Sequence, residues 1–220
     1  MQDSLKPAPV QSPPGFARRA AELRSQLLTV PAAQLATRTA TVYIPGEDGD
    51  GEFQLTLFGS EVRCSCPDFT FSSVSGVALP EFQQLLLLYY FATADGTALS
   101  GRWVSFADLP GGRMYASAFQ GYSGDEIVKV FGEDLPAFRN ACERVHGQAE
   151  PGVGDAAYTF QALPRVSARF VYWQGDEDFP SSCKILFDAV ATCYVPIDAC
   201  AIIGSTLARK IIKNASVKPA

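Results

Sequence analysis

Histidine is scarce in this sequence: the 220-residue chain contains one, His146. It falls near the end of a predicted helix, where the helix dipole stabilises a cation. Ser-His and Cys-His mechanisms need an imidazole beside the nucleophile, so any such mechanism would have to use His146. The composition therefore disfavours nucleophilic catalysis of this kind.

Long apolar runs and an excess of positive charge are missing as well. The longest apolar run, Leu85 to Ala92, has eight residues, whereas a membrane helix needs about 20. Eighteen Lys and Arg face 23 Asp and Glu, and the net charge of -5 has the wrong sign for binding phosphate backbones. We therefore expect neither a membrane span nor a nucleic-acid partner. The first sixteen residues contain four prolines and no apolar signal-peptide core, which indicates a cytoplasmic protein.

Cysteine is too sparse for a disulfide scaffold, with six in the whole chain. We interpret these residues as reduced and mostly buried thiols. Cys64 and Cys66 share one face of a predicted strand, so a soft metal or reversible oxidation is the alternative for this pair. Zinc needs four ligands, and the sequence has no second closely spaced pair. It also lacks a Walker loop and a G-x-G-x-x-G motif. The sequence thus predicts no metal site and leaves any cofactor unknown.

What the sequence does contain is a mixture of helix and strand patterns. Helices are predicted from Phe16 to before Pro31 and at 80–94, 124–130, 134–147 and 198–213. Strands are predicted at 39–44, 52–58, 102–106, 155–163 and 166–173, and a further strand follows the Gly59-Ser60 turn. The segment 183–195 has a mixed helix and strand pattern. This order favours an α+β fold, with antiparallel sheets packed around a buried central helix at 80–94. We predict a disordered proline-rich arm at 1–15, a single compact domain at 16–213 and a tail at 214–220.

Two stretches combine aromatic and charged residues at the ends of regular elements. The first runs from Gly101 to Tyr115. Its adjacent glycines would let the backbone approach a partner closely, and its aromatic and cationic side chains could stack and hydrogen-bond. The candidate ligand-binding residues here are Trp103, Asp108, Gly111, Gly112, Arg113 and Tyr115. A structural turn whose aromatic side chains fill the core explains the same pattern, and both interpretations stay open.

The second stretch, from Tyr172 to Pro180, places three consecutive carboxylates after a strand. Crowded carboxylates attract a hard cation or raise one another's pKa, although such a run is commonly a solvated loop. The candidate ligand-binding residues here are Trp173 and Asp176, together with Arg165, which lies before this stretch. We hypothesise that the two stretches line a single cleft, because binding groups gather on loops that a rigid scaffold positions.

A series of short motifs in a fixed order covers most of the chain, roughly Thr41 to Ile212. They are the segments 85–90, 95–96, 99–106, 109–112, 131–132, 154–155, 163–166, 175–180 and 185–188, together with Tyr115, Phe119, Trp173, Tyr194 and Asp198. In combination they resemble the domain-of-unknown-function family DUF3786. The resemblance implies a cytoplasmic prokaryotic protein, typical of anaerobes, without an established activity.

The same resemblance implies a connection with corrinoid and one-carbon metabolism, and some relatives carry a cysteine-rich iron-sulfur segment at the N-terminus. This chain has no cysteine before Cys64. It also has Tyr89 and Tyr90 in the central helix, where relatives often carry a histidine. These departures argue against an iron-sulfur role and against a histidine function in that helix.

We predict an accessory module that binds a small molecule or a partner protein, because a nucleophile, a base and an orienting group cannot be assembled around one histidine. One alternative is a carboxylate-dependent or metal-dependent enzyme, with Asp176 or Asp178 as general base or metal ligand and Arg165 as an anion clamp. A second alternative is a structural subunit of a larger complex, for which the proline-rich arm would serve as a docking strand. The sequence leaves the oligomeric state open.

Overall fold

The computed structural model describes residues 14–47 and 49–215. The parts of the predicted arm before residue 14 and of the predicted tail after residue 215 lie outside the described residues. The first helix, α1, spans Pro14–Leu27, so it begins two residues before the predicted start at Phe16. Proline suits the first turn of a helix, because an N–H group there has no partner within the helix.

A second helix, α2 (Ala32–Thr39), precedes a four-stranded antiparallel sheet, which we call the first sheet. Its strands, in spatial order, are β1 (Val42–Pro45), β2 (Gly51–Leu57), β3 (Ser60–Cys66) and β4 (Phe71–Ser73). The strand predicted at 39–44 is therefore wrong at its start. Thr39 ends a helix, and its hydroxyl donates to the Leu35 carbonyl at 2.7 Å, so a β-branched residue is accommodated there by a local hydrogen bond.

Helix α3 (Glu81–Thr93) packs against α1 and against the inner face of the first sheet. Its Phe91 ring lies 5.0 Å from the ring of Phe53, centroid to centroid, and Leu87 is fully buried. The prediction that no side of this helix reaches solvent is wrong, because Phe82 and Ala92 are exposed. Most of the helix is nevertheless buried, as Leu86, Leu87, Leu88, Tyr90 and Phe91 are, and solvent reaches it at the two exposed positions.

The rest of the chain forms a five-stranded antiparallel sheet, the second sheet, with helices on one face. Its strands, in spatial order, are β5 (Trp103–Ser105), β9 (Ser182–Asp188), β8 (Val166–Trp173), β7 (Ala156–Leu163) and β6 (Gln148–Ala149). The helices are α4 (Ala116–Gly121), α5 (Gly124–Phe131), α6 (Leu135–Arg144) and α7 (Ile197–Lys213). Short 3-10 turns occupy Phe106–Asp108, Arg113–Tyr115 and Ala191–Cys193.

One hydrophobic core runs through both sheets and joins them. The Phe58 N–H donates to the Ala162 carbonyl at 2.8 Å, linking the two sheets directly. The Tyr90 hydroxyl donates to the Thr39 carbonyl at 2.6 Å and accepts from the Arg165 N–H at 3.1 Å. The chain thus has an α+β fold. Among the described helices, none combines the length and the apolar composition required to cross a membrane.

Candidate functional site

The first predicted stretch begins on the outer face of the second sheet, opposite the helices. Trp103 is half-buried there, and the guanidinium of Arg169 lies 4.1 Å from the centre of its ring. Arg169 also donates to the Thr159 hydroxyl at 3.0 Å and pairs with the Glu150 carboxylate at 3.0 Å. Trp103 therefore takes part in a cation–π contact that helps to hold Arg169 in place.

Asp188, which the sequence did not single out as a site residue, anchors the loop that leads into this stretch. Its carboxylate accepts hydrogen bonds from the N–H and hydroxyl of Ser100 and from the N–H groups of Gly101 and Val190, at 2.7 to 3.2 Å. Burial alone would raise the pKa of Asp188, but these hydrogen bonds outweigh burial and hold the pKa below its ordinary value. Asp188 is thus a buried structural carboxylate.

The two glycines of the first stretch make contacts within the protein. The Gly112 N–H donates to the Leu109 carbonyl at 2.9 Å, and a Cβ at Gly112 would lie 1.8 Å from the Phe106 carbonyl oxygen. Gly111, with φ of +79°, faces Ile197 at the start of α7. Asp108 accepts from the Ser105 hydroxyl at 2.6 Å. The turn is therefore fixed against α7, and the close backbone approach that requires Gly112 is intramolecular.

The second predicted stretch forms a loop between β8 and β9 that is closed by its own hydrogen bonds. The Oδ1 atom of Asp176 accepts from the N–H groups of Asp178 and Phe179 at 2.9 and 2.8 Å, and the Asp176 N–H donates to the Phe179 carbonyl at 2.9 Å. These contacts form an Asx turn. Within residues 14–47 and 49–215, no three Asp, Glu, His or Cys residues are grouped so as to hold a metal ion.

Strand register separates the two predicted tryptophans. Both Trp103 and Trp173 lie on strands that flank β9, where Trp103 is opposite Asp188 and Trp173 is opposite Ser182. These partners are six residues apart, which corresponds to about 20 Å along a strand. The hypothesis of a single cleft is therefore wrong in placing Trp103 opposite Trp173, because the strand partners of the two tryptophans lie at opposite ends of β9. Ligand binding by each predicted residue separately stays a prediction.

A different arrangement surrounds Tyr115. A groove with a volume of about 350 Å³ lies between α7 and the segment that precedes α5. We call it the α7 groove, and its lining residues are Phe106, Tyr115, Tyr122, Asp198, Ala201, Ile202, Ser205 and Arg209. Of the residues predicted from the sequence, Tyr115 lines this groove directly, and the Gly111 turn fixes the adjoining segment to α7.

One side of the α7 groove is a stripe along the helix. Asp198, Ile202, Ser205 and Arg209 follow each other at spacings of four, three and four, which places them on one helix face. With a rise of 1.5 Å per residue, Asp198 and Arg209 are about 16 Å apart along the axis. A carboxylate therefore marks one end of the groove and a guanidinium marks the other.

The rim of the α7 groove exposes large apolar and aromatic side chains. Ile202 and Tyr122 are each 43% exposed, Tyr115 is 54% exposed, and Met114, which precedes Tyr115, is 90% exposed. Tyrosine, methionine and arginine are enriched in protein interfaces. Scattered exposed apolar residues need no explanation, but exposed apolar and aromatic side chains here cluster around one groove.

The charges at the ends of the groove are available for binding. Desolvation raises the pKa of Tyr122, and the nearby Asp198 raises it further, whereas Arg209 lowers it, so the phenol lies near both charges. In the part of the chain that the structure describes, neither Asp198 nor Arg209 forms an ion pair. The groove thus combines an apolar floor with two unpaired charges of opposite sign.

The cysteines lie apart from this groove. Cys64 is fully buried and Cys66 is half-buried, and neither forms a disulfide. Burial raises the pKa of the Cys64 thiol far above its ordinary value, and desolvation also raises that of Cys66. Both thiols thus ionise less readily than a free cysteine, which lowers their nucleophilicity at neutral pH.

Sequence reasoning missed most of the groove. None of Tyr122, Ile202 and Arg209 is among the predicted site residues, and Asp198 enters the sequence analysis only as a motif residue of the family resemblance. The available signal was the helix pattern after Pro196, where Ile202 is an apolar residue on the same face as two opposite charges. Amino-acid composition does not reveal an apolar residue on the polar face of a helix, because only the spacing of residues along the helix places them on one face.

Comparisons with known proteins place the chain in a family. A family model described as "Domain of unknown function (DUF3786)" matches residues 32–210, so the chain belongs to this family. A search of curated proteins found no match. A search of solved structures likewise found none.

Proposed function

We propose that this member of the DUF3786 family is a protein-binding accessory module and that a segment of its partner docks in the α7 groove. The observation that carries the proposal is the pair of unpaired opposite charges, Asp198 and Arg209, at the two ends of an apolar and aromatic surface. Such a groove fits a segment that carries a basic residue at the Asp198 end, an acidic residue at the Arg209 end and an apolar side chain between them.

The shape of the groove favours a protein segment over a small molecule. Small-molecule sites enclose most of the surface of their ligand. The α7 groove instead has a rim of exposed side chains, Tyr115, Tyr122 and Ile202, that extend its contact area outward. Buried aromatic and aliphatic anchors dominate the binding energy of protein interfaces, so we expect these side chains to contribute most.

The two charges are suited to selecting and orienting a partner. Charges at the rim of an interface contribute mainly to specificity and association rate, because water screens them. A segment in the reverse direction would place like charges together, which is unfavourable. Asp198 and Arg209 therefore define a polarity for the bound segment.

Two further parts of the functional interpretation stay predictions. We propose a cytoplasmic location and a connection with corrinoid and one-carbon metabolism as the cellular setting of this function.

The alternative, a carboxylate-dependent enzyme, assigns a reactive role to Asp176. The two backbone N–H donors on its Oδ1 atom instead support a structural role for this carboxylate in its own loop.

The proposal is tested by selecting peptides on the purified protein. The probe is a displayed library of random peptides of about 12 residues, long enough for three helical turns, or about 16 Å. We expect selected peptides to share a basic and an acidic residue on either side of an apolar residue. Binding should weaken by about tenfold or more in Ile202→Arg, which puts a cation into the apolar surface.

The matched control is Val130→Arg. Val130 is a helical residue with 46% exposure, close to that of Ile202, and it does not line the groove. This variant should bind the selected peptides as the unaltered protein does. Selected peptides that bind the Ile202 and Val130 variants equally well would show that the groove is not the binding site.

A further inference from the structure

The chemistry expected of the partner segment is present on α7 itself. The stripe Asp198, Ile202, Ser205, Arg209 has spacings of four, three and four, which read the same in both directions. Its midpoint lies between Ile202 and Ser205. Two copies of this helix can therefore pack antiparallel about a two-fold axis through that midpoint, so that every residue of the stripe has a defined counterpart.

We propose that a second copy of this chain docks on the α7 groove and forms a two-fold dimer through antiparallel α7 helices. The inference rests on the proposed function, since it names the partner of the same groove. In this arrangement Asp198 faces Arg209 of the second copy, and Arg209 faces Asp198 of the second copy. A two-fold interface always forms each contact twice, so both unpaired charges of each chain gain a partner.

The centre of the stripe supplies a complementary shape. Ile202 projects from the surface with 43% exposure, while Ser205 is small and 5% exposed. The Ser205 hydroxyl donates to the Ile202 carbonyl of its own helix at 3.1 Å, so it can be covered without leaving an unpaired polar group. Ile202 of the second copy packs over Ser205, and the rings of Tyr115 and Tyr122 border this contact.

The charges also fix the direction of the pairing. A parallel arrangement would place Asp198 against Asp198 and Arg209 against Arg209, at a cost from like-charge repulsion. The antiparallel arrangement replaces both repulsions with attractions. The ion pairs lie at the exposed ends of the stripe, where they select the orientation, while the apolar contacts at the centre supply most of the affinity.

The test measures self-association by sedimentation equilibrium of the full chain, from low to high micromolar concentrations. We expect the unaltered protein to form a reversible dimer. Ile202→Arg should weaken association by about tenfold or more, and Val130→Arg should leave it unchanged. Thermal unfolding of each variant, followed by circular dichroism, verifies that the chains are folded.

Charge exchange provides the decisive experiment. Asp198→Arg and Arg209→Asp should each weaken association, because each places like charges opposite each other at both ends. An equimolar mixture of these two variants should form a heterodimer, since all four charges then meet opposite charges. Asp198→Arg/Arg209→Asp in one chain should likewise regain self-association. The mixture controls for effects on helix stability, because it contains the same two variants.

Two results would overturn the dimer. One is a protein that stays monomeric at every concentration, and the other is a mixture of the two charge variants that associates no better than either variant alone. Failure of the dimer is distinguishable from failure of the proposed function. A monomer whose selected peptides lose affinity for Ile202→Arg contradicts the dimer alone, whereas peptides that bind Ile202→Arg normally contradict the groove as a docking site.

Discussion

The segments 101–115 and 172–180 have similar compositions and similar positions at the ends of strands, yet the fold uses them differently. The first is fixed at one end by Asp188 and at the other by the contact of Gly111 with Ile197, and it presents Tyr115 to the α7 groove. The second closes on itself through Asp176. The first segment builds a surface shared with another element, whereas the tip of the second is closed by its own Asx turn and its base is hydrogen-bonded to Asp155 and Glu133.

This difference shows that the amino-acid composition of a segment does not indicate whether its polar groups are available for binding. Aromatic and charged residues at the end of a strand identify a loop in which polar groups need partners. Whether those groups are available for binding depends on where the partners come from. In 172–180 the loop backbone supplies the partners of Asp176, and Asp155 and Glu133 supply those of Gln174. Asp198 and Arg209, beside the first segment, have no ion-pair partner within the described residues.

The largest effect is expected from Gly112→Ala, which tests whether the first segment is fixed by close packing. The added Cβ would lie 1.8 Å from the Phe106 carbonyl oxygen, so the turn must move. We expect the free energy of unfolding to fall by about 3 kcal/mol or more, as measured by urea denaturation. The control is Gly111→Ala, where φ of +79° costs about 1 to 2 kcal/mol. A smaller effect at Gly112 than at Gly111 would show that the turn is loosely packed.

Asp188→Asn should have the next largest effect, because it weakens the anchor at the start of the first segment. Hydrogen bonds to charged groups contribute more than neutral ones, and we expect a loss of about 2 kcal/mol at neutral pH. The folded-state pKa of Asp188 lies below its ordinary value of 3.8, so this stabilisation is present above that value and is lost as the pH falls through the folded-state pKa. The stability difference between the two proteins should therefore shrink on acidification. An equal difference at neutral and strongly acidic pH would contradict this role.

A smaller effect is expected from Asp176→Ala, which tests whether the tip of the second segment is held by its own Asx turn. Removing the acceptor of two backbone N–H groups should lower the free energy of unfolding by about 1 kcal/mol. Asp176→Asn is the matched control, because asparagine forms the same Asx turn and should retain most of the stability. Chemical denaturation of both variants provides the measurement. If the asparagine variant lost as much as the alanine variant, the carboxylate charge rather than the turn would be responsible.

The smallest effect is expected from Arg113→Ala, at an exposed position of the first segment. Substitutions at such surface sites usually change stability by less than about 0.5 kcal/mol, and we expect the melting temperature to change little. The sequence predicts that Arg113 assists ligand binding, but this residue does not line the α7 groove, so peptides that bind in the groove should bind the variant as tightly as the unaltered protein. A large loss of stability would instead identify Arg113 as a structural residue of the turn.

Local sequence signals predicted most of the regular elements. Asp134 was expected to cap a helix, and its carboxylate accepts from the Ala137 N–H at 2.9 Å. The turn at Gly59, with φ of +80°, joins β2 to β3 as expected. The sequence analysis missed helix α2 because two of its last three residues, Thr37 and Thr39, are β-branched. The hydrogen bond from the Thr39 hydroxyl to the Leu35 carbonyl forms only when the helix is present, so no local pattern indicates it. Strand β4 was missed because three residues give too short a pattern.

The sequence by itself determined the fold class and the family, because local periodicity and the order of short motifs carry this information. Only the tertiary structure decided that Trp103 and Trp173 lie at opposite ends of β9, and that Tyr115 meets Ile202 and Arg209 across a groove. Strand register and helix packing bring together residues that are distant in the chain. No local pattern encodes that proximity, so the composition of a stretch predicts that it is a loop but not what the loop faces.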